Sequence, residues 1–134
     1  MATDADWVFN EVDAALGGAG TVIERVHAGA EVRAAVRDSE PDLVVLDLQI
    51  GNMGGMAASI DLRHEAEADR IEETAVLMLL DRDADVWLAN QALADGWLIK
   101  PLDPIRLSMA AEALLAGESY TEGLDTEAPE TPTG

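Results

Sequence analysis

From Leu43 to Leu48 the chain is apolar at every position except Asp47, whose carboxylate interrupts the run just before its end. A continuous apolar run of strand length is what a strand covered on both faces requires. "TAVLMLL" (74–80) repeats the pattern, and "WLIK" (97–100) is a shorter version stopped by Pro101. "GTVIERV" (20–26) is a further expected strand. Between these runs the apolar spacing lengthens to that of a helix. "GAEVRAAVRDSE" (29–40) places Val32 and Val36 four apart, and "GMAASIDLRHEAEADR" (55–70) puts Met56 and Ile60 on one side. In "DADVWLANQALADG" (83–96), Val86, Asn90 and Leu93 fall on one stripe, with Gly96 in the place of a C-terminal cap. The last helix, 103–117, begins with Asp103 as N-cap and Pro104 at the first helical position, and ends at Gly117.

Strands alternating with helices predict an α/β domain with a parallel sheet and right-handed crossovers. Sites in such sheets form beyond the carboxyl ends of the strands. Asp47 and Lys100 both end strands, so they are expected to meet although more than fifty residues separate them. No internal repeat or second domain is visible.

Composition narrows the function classes. The 134 residues are 49% hydrophobic, enough for one globular core. No apolar run approaches the roughly 20 residues that span a bilayer, and "MATDADW" lacks the features of a secretory signal. Without cysteine there is neither a disulfide framework nor a thiolate metal site. A soluble, cytoplasmic protein is expected. Acidic residues outnumber basic ones 27 to 8, a formal net charge of −19; phosphate backbones would repel such a domain, which argues against direct nucleic-acid binding. Residues 118–134 carry acids and prolines without a base and read as an acidic disordered tail behind a domain of residues 1–117. His27 and His64 lie apart, and no serine or histidine constellation suggests an enzyme.

"PDLVVLDLQIGNMGG" (41–55) and "GWLIKPLDPIRL" (96–107) together resemble the third strand with its loop, and the fifth strand with the last helix, of response-regulator receiver domains. The similarity covers roughly residues 3–117. It implies a flavodoxin-like three-layer sandwich with strand order 2-1-3-4-5. It also implies that Asp47 accepts a phosphoryl group from a histidine kinase. A carboxylate can attack phosphorus, provided that a metal and a positioned cation neutralise the accumulating negative charge. The resemblance assigns the cation to Lys100, the only lysine in the chain, and makes the Lys100-Pro101 bond cis. It assigns a backbone-carbonyl metal contact to Gln49.

Departures from the family pattern accompany the match. Receivers carry paired magnesium-binding acids at the end of strand 1. Here the register gives Thr3 and Asp4, with Asp6 as a substitute by local shift. Magnesium held by Asp4, Asp47 and the Gln49 carbonyl would therefore bind weakly. Only "MAT" precedes that position, so strand 1 is truncated. Leu80 replaces the serine or threonine whose hydroxyl bonds the phosphoryl group. Trp97 replaces the smaller aromatic residue that rotates with it, and Asp81 adds negative charge.

These features imply a stand-alone receiver-like signalling module that acts through protein–protein interaction, with Asp47 as phosphoacceptor. The alternative is a pseudo-receiver, a constitutive adaptor independent of phosphorylation. The partner is a histidine kinase or an effector protein. The expected partner surface joins Trp87, Trp97 and Arg106, an aromatic pair with an arginine. A second copy of the chain, bound through the family's fourth helix, fifth strand and last helix, is the other candidate for that face.

Overall fold

The apolar runs pair with one another. β1 (Leu43–Asp47) lies parallel to β2 (Ala75–Leu80), with Asp47 opposite Leu79. β3 (Gly96–Ile99) adds to the other side of β2, also parallel, with Leu80 opposite Ile99. The computed structural model describes residues 1–18, 20–49 and 54–122. Around the sheet lie α1 (Asp6–Leu16), α2 (Val32–Ser39), α3 (Gly55–Glu67), α4 (Val86–Gln91) and α5 (Pro104–Leu115).

Side-chain alternation sorts the core into two layers. Val44, Leu46, Val76, Met78, Leu80 and Trp97 face α2, α3 and α4, where Val36, Leu62 and Ala89 meet them. Val45, Leu77, Leu79 and Leu98 face the opposite side, against Val8 and Val12 of α1 and Leu107, Ala110 and Leu114 of α5. Residues 76–80 of β2 are fully buried. Each such side chain contributes about 1.5–3 kcal/mol by leaving water, so the central strand anchors both faces.

The expected strand over 20–26 is not formed as a ladder. Val26 alone bridges Ala2, and Ala2 bridges Leu46 on its other side. Four backbone hydrogen bonds of 2.9–3.1 Å thread Met1, Ala2 and Thr3 between Val26 and the Val45–Asp47 end of β1. Next to that bridge the Met1 amino group donates to the Glu24 carbonyl at 2.8 Å, but no second ladder pair forms among the described residues of 20–26. Val22 is accordingly 95% exposed.

Helical expectations need three corrections. α1 occupies residues to which no element was assigned, and it packs on α5 through Val8 and Val12. α4 stops at Gln91, and its buried stripe is Val86, Ala89 and Ala92; Asn90 and Leu93 lie outside it. Gly96 is the first residue of β3 and not a helix cap. The chain turns earlier, at Leu93 in the left-handed region (φ 63). Asp95 then pairs with the start of β2, its carboxylate accepting the Val76 N–H at 2.8 Å. α5 begins as expected, the Asp103 carboxylate accepting the Arg106 N–H at 2.8 Å ahead of Pro104.

The chain keeps contact with the sheet past residue 117. Tyr120 forms a parallel bridge with Gly96, so residues 118–122 lie along β3. The rest of the expected tail, 123–134, falls outside the described residues.

Candidate functional site

Asp47 closes β1 with its side chain 2% exposed. One carboxylate oxygen, Oδ2, accepts the Thr3 hydroxyl at 2.7 Å. The other, Oδ1, accepts the Lys100 ammonium at 2.9 Å and the Gln49 backbone N–H at 3.2 Å. A buried carboxylate survives only with such partners, and here both oxygens are engaged. Gly55 makes the close packing possible, since a Cβ there would lie 2.5 Å from the Asp47 carbonyl oxygen.

Lys100 follows β3, two strands away from Asp47. Neighbouring strands lie about 4.8 Å apart, so a group bridging β3 to β1 must cross roughly 10 Å over the end of β2. A lysine stem does so, and its Nζ also meets Asp81 Oδ1 at 2.9 Å. Asp81 is set in turn by the buried carboxylate of Asp85, which accepts its N–H at 3.2 Å. Burial disfavours the Lys100 charge, but the hydrogen bonds it donates to Asp47 and Asp81, and their negative charges, outweigh burial and raise the pKa above the ordinary lysine value. Trp7, half exposed on α1, covers the ammonium from outside at 5.6 Å from its ring centroid. The Lys100-Pro101 bond is cis.

The receiver resemblance implies a magnesium ion here, and the residues present do not fit one. No cluster of three His, Asp or Glu side chains able to hold a metal occurs among the described residues. Thr3 stands in the acidic position, fully buried, and its hydroxyl is committed to Asp47. Asp4 is exposed at the surface, and Asp6 is paired with Arg25 at 3.0 Å. Gln49 touches the site through its N–H. The Thr3 hydroxyl, the Lys100 ammonium and the Gln49 N–H together take three of the roughly four acceptor sites of the Asp47 carboxylate.

Other candidate residues divide. Leu80 is fully buried among α3- and α4-facing side chains, a packing position with no donor. Trp87 is 65% exposed. Trp97 is not part of that surface. It is 4% exposed because strand alternation turns it into the core, and its indole N–H donates to the Glu122 carbonyl at 2.9 Å. Arg106 is likewise occupied, donating to Glu122, to Asp103 and to the carbonyls of Ile99 and Pro101.

Sequence reasoning missed three participants. Thr3 was legible as a lost acid but not as the partner of Asp47. Asp81 was legible as excess charge rather than as the second acceptor for the lone lysine. Trp7 carried a usable signal, since an aromatic residue four places beyond the Thr3 position lies in the first turn of the helix that flanks the site.

The family described as Response regulator receiver domain matches residues 2–112. Nitrate/nitrite response regulator protein NarL of Escherichia coli K12 is 31% identical over 98 residues, 73% of this chain and 44% of its own. The chain thus spans less than half the length of that relative. Protein PilH of Pseudomonas aeruginosa is 29% identical over 99 residues, covering 73% of this chain and 80% of its own. Among solved structures, a LuxR-family two-component response regulator from Aurantimonas superposes with a TM-score of 0.73 at 26% identity. That match covers 89% of this chain and 84% of the other.

Proposed function

The chain belongs to the response-regulator receiver family, and from that premise we propose that it is a receiver-type module that docks another protein without a phosphorylation switch. The flavodoxin-like order 2-1-3-4-5 is part of this proposal, with the single bridges Val26–Ala2–Leu46 standing in for the first two strands. The observation that carries it is the closure of Asp47. Thr3 and Lys100 hold its two oxygens, and Lys100 is shared with Asp81.

A phosphoryl group added to Asp47 would bring negative charge to a site that already sets two carboxylates against one ammonium. The site offers no acid cluster for a metal among the described residues, and Leu80 supplies no hydroxyl to draw the β2 loop inward. Of the two steps that normally convert phosphorylation into movement, charge neutralisation is left to Lys100 alone and loop capture lacks its hydroxyl. The module would act through a constitutive surface and not as an enzyme. Exposed Trp87 on α4 is the strongest anchor on that surface. The partner is an effector protein, with a second copy of the chain bound through α4, β3 and α5 as the alternative occupant.

A phosphoacceptor in a kinase relay is the second reading. It is favoured by the Asp47–Lys100 contact, which gives the nucleophile its cation. Intact mass after incubation with a small phosphodonor and magnesium separates the two. Slow, incomplete labelling is expected, and rapid complete labelling abolished by Asp47→Asn would return the protein to the relay class.

A further inference from the structure

Beyond α5 the chain turns at Gly117 (φ 84) and runs back along the outer edge of β3. The Trp97 N–H donates to the Tyr120 carbonyl at 2.8 Å. Two residues on, the Ile99 N–H donates to the Glu122 carboxylate at 3.0 Å. Alternate N–H groups of an edge strand are the donors an added strand takes up. The approach is close: a Cβ on Gly96 would stand 2.5 Å from the Tyr120 carbonyl oxygen.

Arg106 turns this edge into a selective one. Its guanidinium is oriented by Asp103 and by the carbonyls of Ile99 and Pro101, none of which belongs to the strap formed by residues 118–122. Onto that fixed fork the Glu122 carboxylate docks, its Oε2 accepting Nε–H at 2.8 Å and its Oε1 accepting from Nη2. Planar two-point pairing of guanidinium with carboxylate is both strong and geometrically selective. The Trp97 indole adds a donor to the Glu122 carbonyl. Backbone donors, a preset carboxylate receptor and an indole donor lie along one extended line.

We propose that the outer edge of β3 with Arg106 is a peptide-docking groove for an extended, glutamate-bearing segment of a partner protein, and that residues 118–122 are its ligand in cis. A partner segment must displace the strap, and doing so exchanges the group that holds Trp97. At −19 the chain repels a strongly acidic partner, so the segment needs one carboxylate in register with Arg106 and little further negative charge. The proposal rests on the docking function above only for the existence of a partner. Its readout does not involve Asp47, so the two fail separately.

The test uses the full chain carrying Glu122→Gln, a change at a partly buried position that keeps the side-chain shape. Hydrogen exchange is followed at the Trp97 indole and at the Trp97 and Ile99 amides. Loss of the charged contacts is expected to speed exchange there about tenfold or more. An excess of a synthetic peptide of residues 118–122 should slow it again, whereas the same peptide with glutamine at its last position should not. Unchanged exchange in Glu122→Gln, or equal protection by both peptides, overturns the proposal. A shift of the variant to dimer mass would also overturn it, since the occupant would then be a second copy of the chain.

Discussion

Lys100 places its ammonium 2.9 Å from both Asp47 and Asp81, bridging the ends of β3, β1 and the loop after β2. Its side chain is 10% exposed and that of Asp47 is 2% exposed, so the pair is mutually dependent. Lys100→Met is expected to destabilise the fold by about 3 kcal/mol or more, because it leaves a buried carboxylate without its cation. Asp81→Asn should cost about 1 kcal/mol or less, since that carboxylate is a third exposed. Urea denaturation of the two variants distinguishes these magnitudes. Equal effects would mean that Asp81, not Asp47, is the principal partner.

Two pH windows follow from the shifted groups. Lys100 has a raised folded pKa. Its contribution is complete below the ordinary lysine value of about 10.4 and disappears as pH rises through the folded value. Glu122 behaves oppositely. Burial raises its pKa, but the Arg106 hydrogen bond and the Ile99 N–H outweigh burial and hold it below the usual carboxylate range. Its contribution is present above the ordinary glutamate value of about 4.3 and is lost as pH falls through the folded one. Trp97 fluorescence in dilute solution should therefore change on acidification below that range, ahead of global unfolding, and the step should be absent in Glu122→Gln.

Thr3→Val keeps the shape of a fully buried side chain and removes the donor to Asp47 Oδ2. A loss of about 2 kcal/mol is expected, the cost of an unmet hydrogen bond to a charged group. Thr3→Asp restores the family's acid and sets two carboxylates side by side, which like-charge repulsion disfavours. Its melting temperature should rise with added magnesium, while that of the wild type stays fixed. A wild-type protein stabilised by magnesium as strongly as the variant would show that the site accepts the metal after all.

Leu80→Thr tests whether the missing hydroxyl alone disables the switch. Leu80 is fully buried, so the substitution should cost about 2–4 kcal/mol through lost packing and a buried hydroxyl. Any gain in coupling between Asp47 and Trp97 must be read in protein first shown to be folded. A stable variant would indicate that the β2 end has room the structure does not show.

The strands with continuous apolar runs were legible because a strand buried on both faces leaves no other signature. Asp103 and Pro104 were legible because helix caps are written locally. The meeting of Asp47 and Lys100 followed from parallel topology, since both end strands of one sheet. What escaped depends on contacts distant in sequence. Trp97 was expected outside, yet the alternation that sends Leu98 toward α5 sends Trp97 toward α4. The Thr3–Asp47 bond joins residues 44 apart, and nothing near Thr3 marks it as a donor. Glu122 sits in an acidic, proline-bearing stretch whose composition reads as disordered. Only the three-dimensional neighbourhood of Arg106 singles it out. The strand expected over 20–26 is reduced to the single bridge between Val26 and Ala2, and its apolar composition alone carries no sign of that.

The absence of a phosphorylation switch is tested most directly by amide and indole NMR spectra recorded before and after treatment with a small phosphodonor and magnesium. Asp47→Asn serves as the control, and intact mass is measured on the same samples. The Leu80 amide and the Trp97 indole N–H are expected to stay in place even in the fraction of molecules that gains a phosphoryl group. Large shifts at both positions in phosphorylated wild type, absent from Asp47→Asn, would contradict that expectation and make the protein an ordinary switch.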